Sequence, residues 1–312
     1  MKKRQWIWFL LILIFPGISL MAGDAGFLFL RSEMGGRPAG MGGAFAAVTG
    51  DLQGVLYNPA SIVSVQNHSV IFHYTDHLID ISQGWVAYSQ RLPGMGQIAV
   101  SLAYMNYGEI EGIDENGLET GTFIPGDFVA AVTYGDSLVH SLYYGGTVKI
   151  IQSRIEDYTS AGIGVDFGII YRITGQDLNI GMAVSNLGRA IDGFMDVKEP
   201  LPLTARLGLA KQLAHLPLFI NLNLIQYFNN RSSTTRGFYW AAGGEFSFSE
   251  NLFLRFGYNS RGQEEKVATS QDRFAGASIG FGLQFQRFRL DYALCQHGVL
   301  GSMNHIGLTT YF

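Results

Sequence analysis

The carboxy-terminal part of the chain alternates apolar with polar residues, and this alternation predicts β-strands. From Ala277 to Phe285 every second residue is apolar, and the residues between them are small or polar. The same pattern returns from Phe288 to Leu294 and from Ile306 to Phe312. A period of two gives each strand one apolar and one polar face. In a soluble β-sandwich the apolar face would pack inward, whereas in an outer-membrane barrel it would face lipid.

Alternating segments of about ten residues recur along most of the chain and predict about fourteen strands. The predicted segments are 68–76, 83–92, 95–107, 126–135, 139–153, 158–173, 176–187, 202–213, 216–227, 236–248, 250–262, 271–284, 286–297 and 302–312. Short connections such as Pro93-Gly94 and Asp136-Ser137 occur between longer ones such as 108–125 and 187–202. An even strand count, with long loops at one end and tight turns at the other, is typical of bacterial outer-membrane barrels.

The amino terminus has the pattern of a secretory signal peptide. Lys2, Lys3 and Arg4 precede an apolar run from Trp6 to Leu20, and small residues follow at Ala22 and Gly23. This order of charged, apolar and small residues predicts export and cleavage after Ala22. The alternative is a retained membrane helix, but the run is shorter than the roughly 20 residues that a full span needs. We therefore divide the chain into a signal peptide (1–22), an amino-terminal plug segment (23–66) and a transmembrane β-barrel (67–312).

Charge and composition narrow the possible partners. Removal of residues 1–22 lowers Lys+Arg from 21 to 18 against 25 Asp+Glu, which leaves a net charge of −7. Such an acidic chain is an improbable nucleic-acid binder. No later apolar run is long enough to cross a bilayer as a helix, so any spanning structure is made of strands. Cys295 is the single cysteine, which excludes an intramolecular disulfide.

The polar face of the predicted strands carries charges of both signs. We expect these residues to face the lumen, because each charge would cost roughly 2–4 kcal/mol if it faced lipid near the midplane. The predicted lumen-facing polar network is Lys149, Asp166, Arg206, Glu245, Arg255, Arg287, Arg289 and Asp291. It is either a structural network that fills the barrel or the lining of a solute path.

Residues 23–66 lack the period of two and are rich in small side chains. Gly40, Met41, Gly42 and Gly43 are followed by a second short motif at 58–60. Because small residues allow close approach of backbones, we interpret this segment as a plug inside or beneath the barrel. The plug motif comprises Gly40, Met41, Gly42, Gly43, Asn58, Pro59 and Ala60.

Candidate chemical motifs are weak. The glycines between Gly35 and Gly43 lack the Gly-Lys-Ser/Thr ending of a phosphate loop. Residues 114–117 are acidic but too short for a calcium loop, and the seven histidines show no metal-ligand spacing. No Gly-x-Ser-x-Gly elbow is present to supply a nucleophile. We therefore expect no enzyme activity, metal or cofactor, although a barrel hydrolase stays open as a distant alternative.

Several motifs resemble those of the PorV/PorQ family. Members of this family carry a stretch of the type Ala-x-Gly-Met-Gly-Gly-Ala-Phe followed by Asn-Pro-Ala. Residues 39–45, which lack the x position, and residues 58–60 resemble it here. Residues 104–108, 112–117, 160–168, 185–188, 256–259 and 274–282 resemble the PorQ branch. Each motif is weakly specific, and their order along most of the mature chain carries the resemblance.

That resemblance implies an all-β, FadL-like barrel of fourteen strands in the bacterial outer membrane, acting in the type IX secretion system. It implies that the barrel docks a surface partner similar to PorZ and supports secretion and surface attachment of cargo proteins. The candidate partner-binding loop contains Asp114, Glu115, Asn116 and Gly117, and the loop 259–272 is a second candidate. The alternative is a FadL-like channel for hydrophobic small molecules, which predicts an apolar pocket beneath the long loops and a gap in the wall near the plug.

Overall fold

The protein forms a closed antiparallel β-barrel of fourteen strands, which confirms the predicted fold class. The computed structural model describes residues 25–66, 68–114, 116–194, 197–228, 237–266 and 270–312. The predicted signal peptide and Glu115 of the candidate loop lie outside these ranges. Strands adjacent in sequence pair around the barrel, except that β3 pairs with β6, and the wall closes between β1 and β16.

The strands have the following bounds. They are β1 His68–Asp76, β2 Ser82–Leu92, β3 Gly96–Asn106, β4 Ile110–Ile113, β5 Glu119–Phe123, β6 Gly126–Val139, β7 Leu142–Ile155, β8 Tyr158–Ile173, β9 Leu178–Asp192, β10 Thr204–Gln212, β11 Leu218–Tyr227, β12 Phe238–Ser247, β13 Leu252–Asn259, β14 Ala277–Phe285, β15 Phe288–Gln296 and β16 Ser302–Tyr311. Strands β4 and β5 form a separate hairpin that the sequence pattern did not predict.

The predicted bounds of two strands differ from the structure for local reasons. Strand β9 continues five residues beyond the predicted end, because a β-bulge at Asp166 and Asn186 shifts the phase of the alternation. Asn186 takes a left-handed φ of 62° there. Strand β14 begins at Ala277 rather than at 271, because Ser270–Phe274 form a 3₁₀ helix.

The alternation of the strands divides outer from inner residues. Phe72 and Ile279 on the outer face are 59% and 63% exposed, whereas the charged residues Arg289 and Asp291 on the inner face are buried. A continuous apolar exterior around a polar interior is the arrangement that hydrocarbon requires of a spanning barrel.

The two ends of the barrel differ. Both chain ends of the barrel, His68 and Phe312, lie at one end, which we call the terminal end, and their backbones are hydrogen-bonded there. The opposite end, the loop end, carries the long connections 107–125, 193–203, 228–237 and 260–276. The predicted alternation of loop lengths is incomplete, because Glu156 and Asp157 form a two-residue turn at the loop end.

Residues 25–66 lie inside the barrel. They contain one short α-helix, α1 (Gly36–Gly40), and three 3₁₀ helices, Leu28–Arg31, Leu52–Leu56 and Pro59–Ser64. Helix α1 contacts β13 to β16, whereas Pro59–Ser64 contacts β3 and β6 to β8. Most side chains of residues 35–62 are buried.

Among the described residues, no helix has both the length and the hydropathy needed to span a membrane.

Candidate functional site

The plug segment follows the inner wall of the barrel as a partial ring. Gly36 lies against β15, Gly42 against β13, Ala46 against β9 and β10, and Pro59 against β7. As the plug segment runs from Gly36 to Ile62, it contacts strands of decreasing number, from β15 to β6. Ile62 ends the ring beside Gly135 of β6.

Glycines of the wall leave room for the plug backbone. A Cβ at Gly145 would lie 2.6 Å from the carbonyl carbon of Pro59, and one at Gly243 would collide with Met41. The wall glycines that face the plug in this way are Gly135, Gly145, Gly168, Gly181, Gly208, Gly243, Gly257 and Gly280. In the plug itself, Gly42 and Gly43 have positive φ angles of 64° and 75°, a region that glycine enters without steric cost. Both sides of the contact thus depend on the absence of side chains.

Asn58 joins the plug to two strands of the wall. Its Nδ2 donates to the carbonyl oxygens of Ala46 (2.7 Å), Ile169 (3.2 Å) and Met182 (3.3 Å). Its Oδ1 accepts the backbone N–H of Ala60 (3.0 Å) and so caps the 3₁₀ helix that begins at Pro59. The Asn-Pro-Ala motif therefore has a structural role in this protein.

A six-charge cluster fills the half of the lumen near the terminal end. Its members are Arg37, Asp51, Glu245, Arg255, Arg289 and Asp291. Arg37 of the plug contacts Glu245 of β12 (2.6 Å) and Asp51 of the plug (3.0 Å). Arg255 contacts Glu245 (2.6 Å) and Asp291 (2.7 Å). Arg289 contacts the same two carboxylates. Three cations face three carboxylates, so the cluster has no net charge.

Arg287 does not belong to the lumen-facing polar network. It is exposed in the two-residue turn between β14 and β15, where Gln286 adopts a φ of 52°. The prediction was wrong because the turn interrupts the alternation one residue before β15 begins. The remaining residues of the predicted network lie on the inner side of the wall.

Lys149 and Asp166 form a second, smaller ion pair higher in the lumen. Their Nζ and Oδ2 atoms lie 2.8 Å apart, and Lys149 also donates to Oδ1 of Asn186 (2.6 Å). The backbone N–H of Asn186 donates to Asp166 (2.7 Å). This network stabilises the bulge between β8 and β9.

Arg206 of β10 is not placed in either ion-pair network. The one hydrogen bond from its guanidinium to a described residue is a long one, 3.5 Å, to Oγ of Ser185. Its buried Nε has no hydrogen-bond partner among the described residues, and its Cζ lies 5.7 Å from the ring centre of Tyr57. The sequence predicted its inward orientation but not this lack of a carboxylate partner among the described residues.

Two adjoining chambers lie between the plug and the loop end. The small chamber has a volume of about 80 Å³ and is lined mainly by apolar residues, including Val55, Trp85 and Ile225. The large chamber has a volume of about 350 Å³ and is lined by Leu28, Met105 and other residues of the plug, β3, β13 to β16 and the loops. The stretch from Phe29 to Glu33 lines both chambers and separates them. The apolar pocket that a channel requires beneath the loops is therefore present.

Residues 260–265 cover the large chamber as a lid. Glu264 accepts a hydrogen bond from Tyr239 (2.7 Å), and Glu265 pairs with Nδ1 of His297 (2.8 Å) in the connection between β15 and β16. Burial opposes the charge of His297, but the hydrogen bond and negative charge of Glu265 outweigh it and raise the pKa of the imidazole above its usual value. The lid is thus held by one pH-dependent contact.

The wall beside the chambers shows no gap in the described strands. Strands β1, β2, β3 and β6 pair residue by residue without a register shift. The wall is nevertheless thin at Trp85 and Ala103, which line the small chamber and also a groove of about 470 Å³ that includes the lipid-facing Phe72 and Tyr104. Gly84, next to Trp85, has no atom within 4 Å of a Cβ position.

The β4–β5 hairpin projects from the loop end. Ile113 and Leu118 are exposed on it, and Glu111 and Glu119 add negative charge. Asp114 accepts the backbone N–H groups of Asn116 and Leu118 (both 2.8 Å) and so closes the tip. These hydrogen bonds lower the pKa of Asp114, and the bond from the Leu118 N–H has the largest effect. The tip is a hydrogen-bonded turn. Gly117 supplies the positive φ of 79° that the turn requires.

In the part of the chain that the structure describes, no group of three or more His, Cys, Asp and Glu residues is arranged to hold a metal ion.

Comparison with known proteins identifies the fold. No protein-family model matches the chain, and no curated protein matches it in sequence. The toluene transporter TbuX of Ralstonia pickettii is 12% identical with a TM-score of 0.58, over 90% of this chain and 98% of that chain. The toluene transporter TodX of Pseudomonas putida is 12% identical with a TM-score of 0.57, over 93% and 98% of the two chains. A FadL homologue of Pseudomonas aeruginosa is 12% identical with a TM-score of 0.58, over 93% and 100%.

These likenesses show that the chain has the fold of FadL-like outer-membrane barrels, as predicted. Together with the apolar exterior, the fold is that of a barrel resident in a bacterial outer membrane. Two of these similar structures are of toluene transporters and the third is of a FadL homologue. The structural similarity supports a FadL-like fold, and it does not support membership of the PorV/PorQ family.

Proposed function

We propose that the protein is an outer-membrane channel that admits small hydrophobic molecules through the chambers beneath its loops. The observation that carries the proposal is a largely apolar space of about 350 Å³ between the plug and the lid. Ligand sites are typically apolar cavities with a few placed polar groups. Two barrels of the same fold are described as toluene transporters, which supports the same class of cargo here.

The route beyond the chambers must avoid the terminal half of the lumen. The six-charge cluster and the plug ring occupy that half, and separating the ions without water would cost several kcal/mol each. We infer that the exit lies at Trp85 and Ala103, because these residues line both the small chamber and the lipid-facing groove. A hydrophobic molecule that crosses there would enter the lipid directly.

A bulky side chain in the large chamber tests the proposal. Met105 of β3 is buried and lines this chamber, whereas the adjacent Tyr104 faces lipid and is 48% exposed. Met105→Trp should remove saturable toluene binding by the purified barrel and slow toluene entry into cells. Tyr104→Trp is the matched control and should change neither. Equal loss in both variants, or no toluene binding by the unmodified protein, would contradict the proposal.

A second function is favoured by the β4–β5 hairpin and by the resemblance of the sequence to the PorQ branch. In this alternative the barrel is a component of the type IX secretion system that docks a PorZ-like surface protein and supports attachment of cargo. Exposed Ile113 and Leu118 on an acidic hairpin suit contact with a protein surface. Asp114, Asn116 and Gly117 shape its tip.

Replacement of the hairpin distinguishes the two functions. Substituting residues 110–123 with a short Gly-Ser linker should abolish co-purification of a surface protein and leave the barrel folded. Retention of the partner by this variant, or isolation of the unmodified barrel alone, would exclude docking through the hairpin. Toluene binding should be unaffected in either case.

The export route completes the proposal. Residues 1–22 would be removed as a signal peptide, and residues 23–66 would enter the barrel as its plug. Mass spectrometry of the protein from outer membranes should give a first residue of Gly23. An intact amino terminus would contradict cleavage.

A further inference from the structure

His305 of β16 lines the large chamber and carries a buried nitrogen atom without a hydrogen bond to any described residue. The residue is 1% exposed and belongs to the lining of the space of about 350 Å³. Its Nε2 has no hydrogen-bond partner among the described residues. A buried polar atom that lacks a partner costs about 1–3 kcal/mol. Such an atom on a residue that lines a cavity is a candidate contact for a ligand.

The other ring nitrogen of His305 belongs to a hydrogen-bond relay with Thr75 and His73 of β1. Oγ1 of Thr75 lies 3.1 Å from Nδ1 of His305 and 2.9 Å from Nε2 of His73. The two imidazole rings are stacked, with their centres 5.8 Å apart. The relay therefore holds the ring of His305 in one orientation across the seam where β1 and β16 close the barrel.

The relay also determines what Nε2 of His305 can do. In a neutral imidazole one nitrogen donates and the other accepts. When the hydroxyl of Thr75 donates to Nδ1, Nε2 carries the hydrogen and is a donor. When Nδ1 donates to Thr75, Nε2 is an acceptor. Nε2 can therefore serve in either role, because the relay tolerates both tautomers.

Several other polar side chains of the large chamber already have partners within the protein. These pairs are Tyr107 with Asp127, His77 with Gln83, Ser278 with the backbone N–H of Gly42, and His297 with Glu265. Each of these contacts would have to break or be shared before its side chain could bind a ligand. His305 can offer Nε2 without losing a contact to a described residue.

Charges of both signs line the large chamber as well. Arg31 and Arg261 lie in the same lining as Glu33 and Glu265. This mixture does not single out an anionic or a cationic ligand. The apolar residues of the lining include Leu28, Phe29, Leu78, Met105, Leu300 and Met303. A neutral molecule that is mostly apolar and carries one polar group therefore matches the chamber.

We propose that His305 is a specificity-determining residue of the channel, and that its Nε2 hydrogen-bonds the hydroxyl group of a small phenol in the large chamber. The inference rests on the proposed function and narrows its cargo from hydrocarbons in general to neutral hydroxylated aromatic molecules. A hydroxyl group both donates and accepts, so it matches either tautomer of His305. A hydrocarbon in the same position leaves Nε2 without a partner.

A comparison of p-cresol with toluene tests the inference, because p-cresol is toluene with one added hydroxyl group. The phenolic hydroxyl has a pKa of about 10, so p-cresol is neutral at pH 7. The purified barrel in detergent is titrated with each ligand by calorimetry. His305→Phe keeps an aromatic ring and removes both nitrogens. It should weaken p-cresol binding about 5-fold, the net effect of one neutral hydrogen bond, and leave toluene binding unchanged.

Two further variants separate a binding role of His305 from a structural one. His305→Gln retains a donor and an acceptor, so its affinity for p-cresol should fall between those of the unmodified barrel and His305→Phe. His215→Phe is the matched control at an exposed histidine between β10 and β11, and it should change neither affinity. Unchanged toluene binding also shows that the His305 variants are folded.

Three results would overturn the inference. Unchanged p-cresol binding in His305→Phe would refute the contact and leave the proposed channel intact. Equal losses of p-cresol and toluene in His305→Phe would assign His305 a structural role. Absence of binding of both ligands to the unmodified barrel would refute the contact and the proposed function together.

Discussion

The two halves of the lumen contain the same kinds of residue but differ in how their charges are paired. Near the terminal end, Arg37 of the plug joins wall residues in a neutral cluster of six charges. Near the loop end, two chambers remain open, and Arg206 beside them has no described carboxylate partner. Polar residues inside a barrel thus serve as filling where they are paired and as candidate ligands where they are not.

The comparison also separates the two hypotheses that the sequence left open for the polar face. The paired half supports the structural network, because its ions pair with one another. The chambers of the other half support a site for solutes. The two interpretations are therefore compatible, since each concerns a different depth of the lumen.

The largest effect should come from breaking the six-charge cluster. Glu245 contacts Arg37, Arg255 and Arg289, so Glu245→Gln leaves three buried cations facing two carboxylates. We expect a loss of about 3–5 kcal/mol in the free energy of unfolding, the usual cost of removing one partner from a buried ion pair. Urea titration of the purified barrel measures it.

Glu264→Gln is the control for this variant, because Glu264 accepts a single hydrogen bond at the mouth, from Tyr239. It should cost about 1 kcal/mol. Equal midpoints for the two variants would mean that the paired half does not stabilise the barrel more than the open half does.

A smaller effect should follow from adding a methyl group to the wall where the plug touches it. Gly145→Ala places a Cβ 2.6 Å from the carbonyl carbon of Pro59, and overpacking of this kind costs about 1–3 kcal/mol. Gly84→Ala is the matched control, since no atom lies within 4 Å of its Cβ position. Thermal unfolding should separate the two variants, and equal stability would show that the plug backbone yields at this contact.

The smallest effect concerns the lid. The folded pKa of His297 is raised, so its pair with Glu265 is fully present below the unfolded value of about 6.5 and is lost as pH rises through the folded value. Hydrogen exchange of residues 260–265, corrected for intrinsic rates, should be up to about 5-fold faster at pH 8.5 than at pH 6, since a partly exposed pair contributes at most about 1 kcal/mol. His297→Gln should remove this pH dependence, and its persistence would exclude the pair as the cause.

The sequence predicted the wall better than its contents. A period of two survives in nearly every barrel strand, because one face must meet lipid and the other must not. It fails where a local geometry interrupts the pleat, as at the Asn186 bulge and the turn that exposes Arg287. The β4–β5 hairpin was missed because strands of four and five residues carry too few positions to show a period.

The contents of the lumen depend on contacts between distant parts of the chain. Arg37 and Glu245 are 208 residues apart, and nothing near either of them in sequence indicates the pair. The loss of period two between residues 23 and 66 predicted a plug, but its ring-shaped path depends on glycines spread over eight wall strands. The missing partner of Arg206 likewise follows from the assembled lumen and not from its neighbours in sequence.

Crystals soaked with bromobenzene test the central claim most directly, because the anomalous signal of bromine locates a hydrophobic molecule without reference to function. The account predicts a bromine peak above the plug ring, in the chambers lined by Phe29 and Met105, and none in the half that holds the six-charge cluster. A peak within that lower half, or peaks on the lipid-facing wall alone, would contradict it.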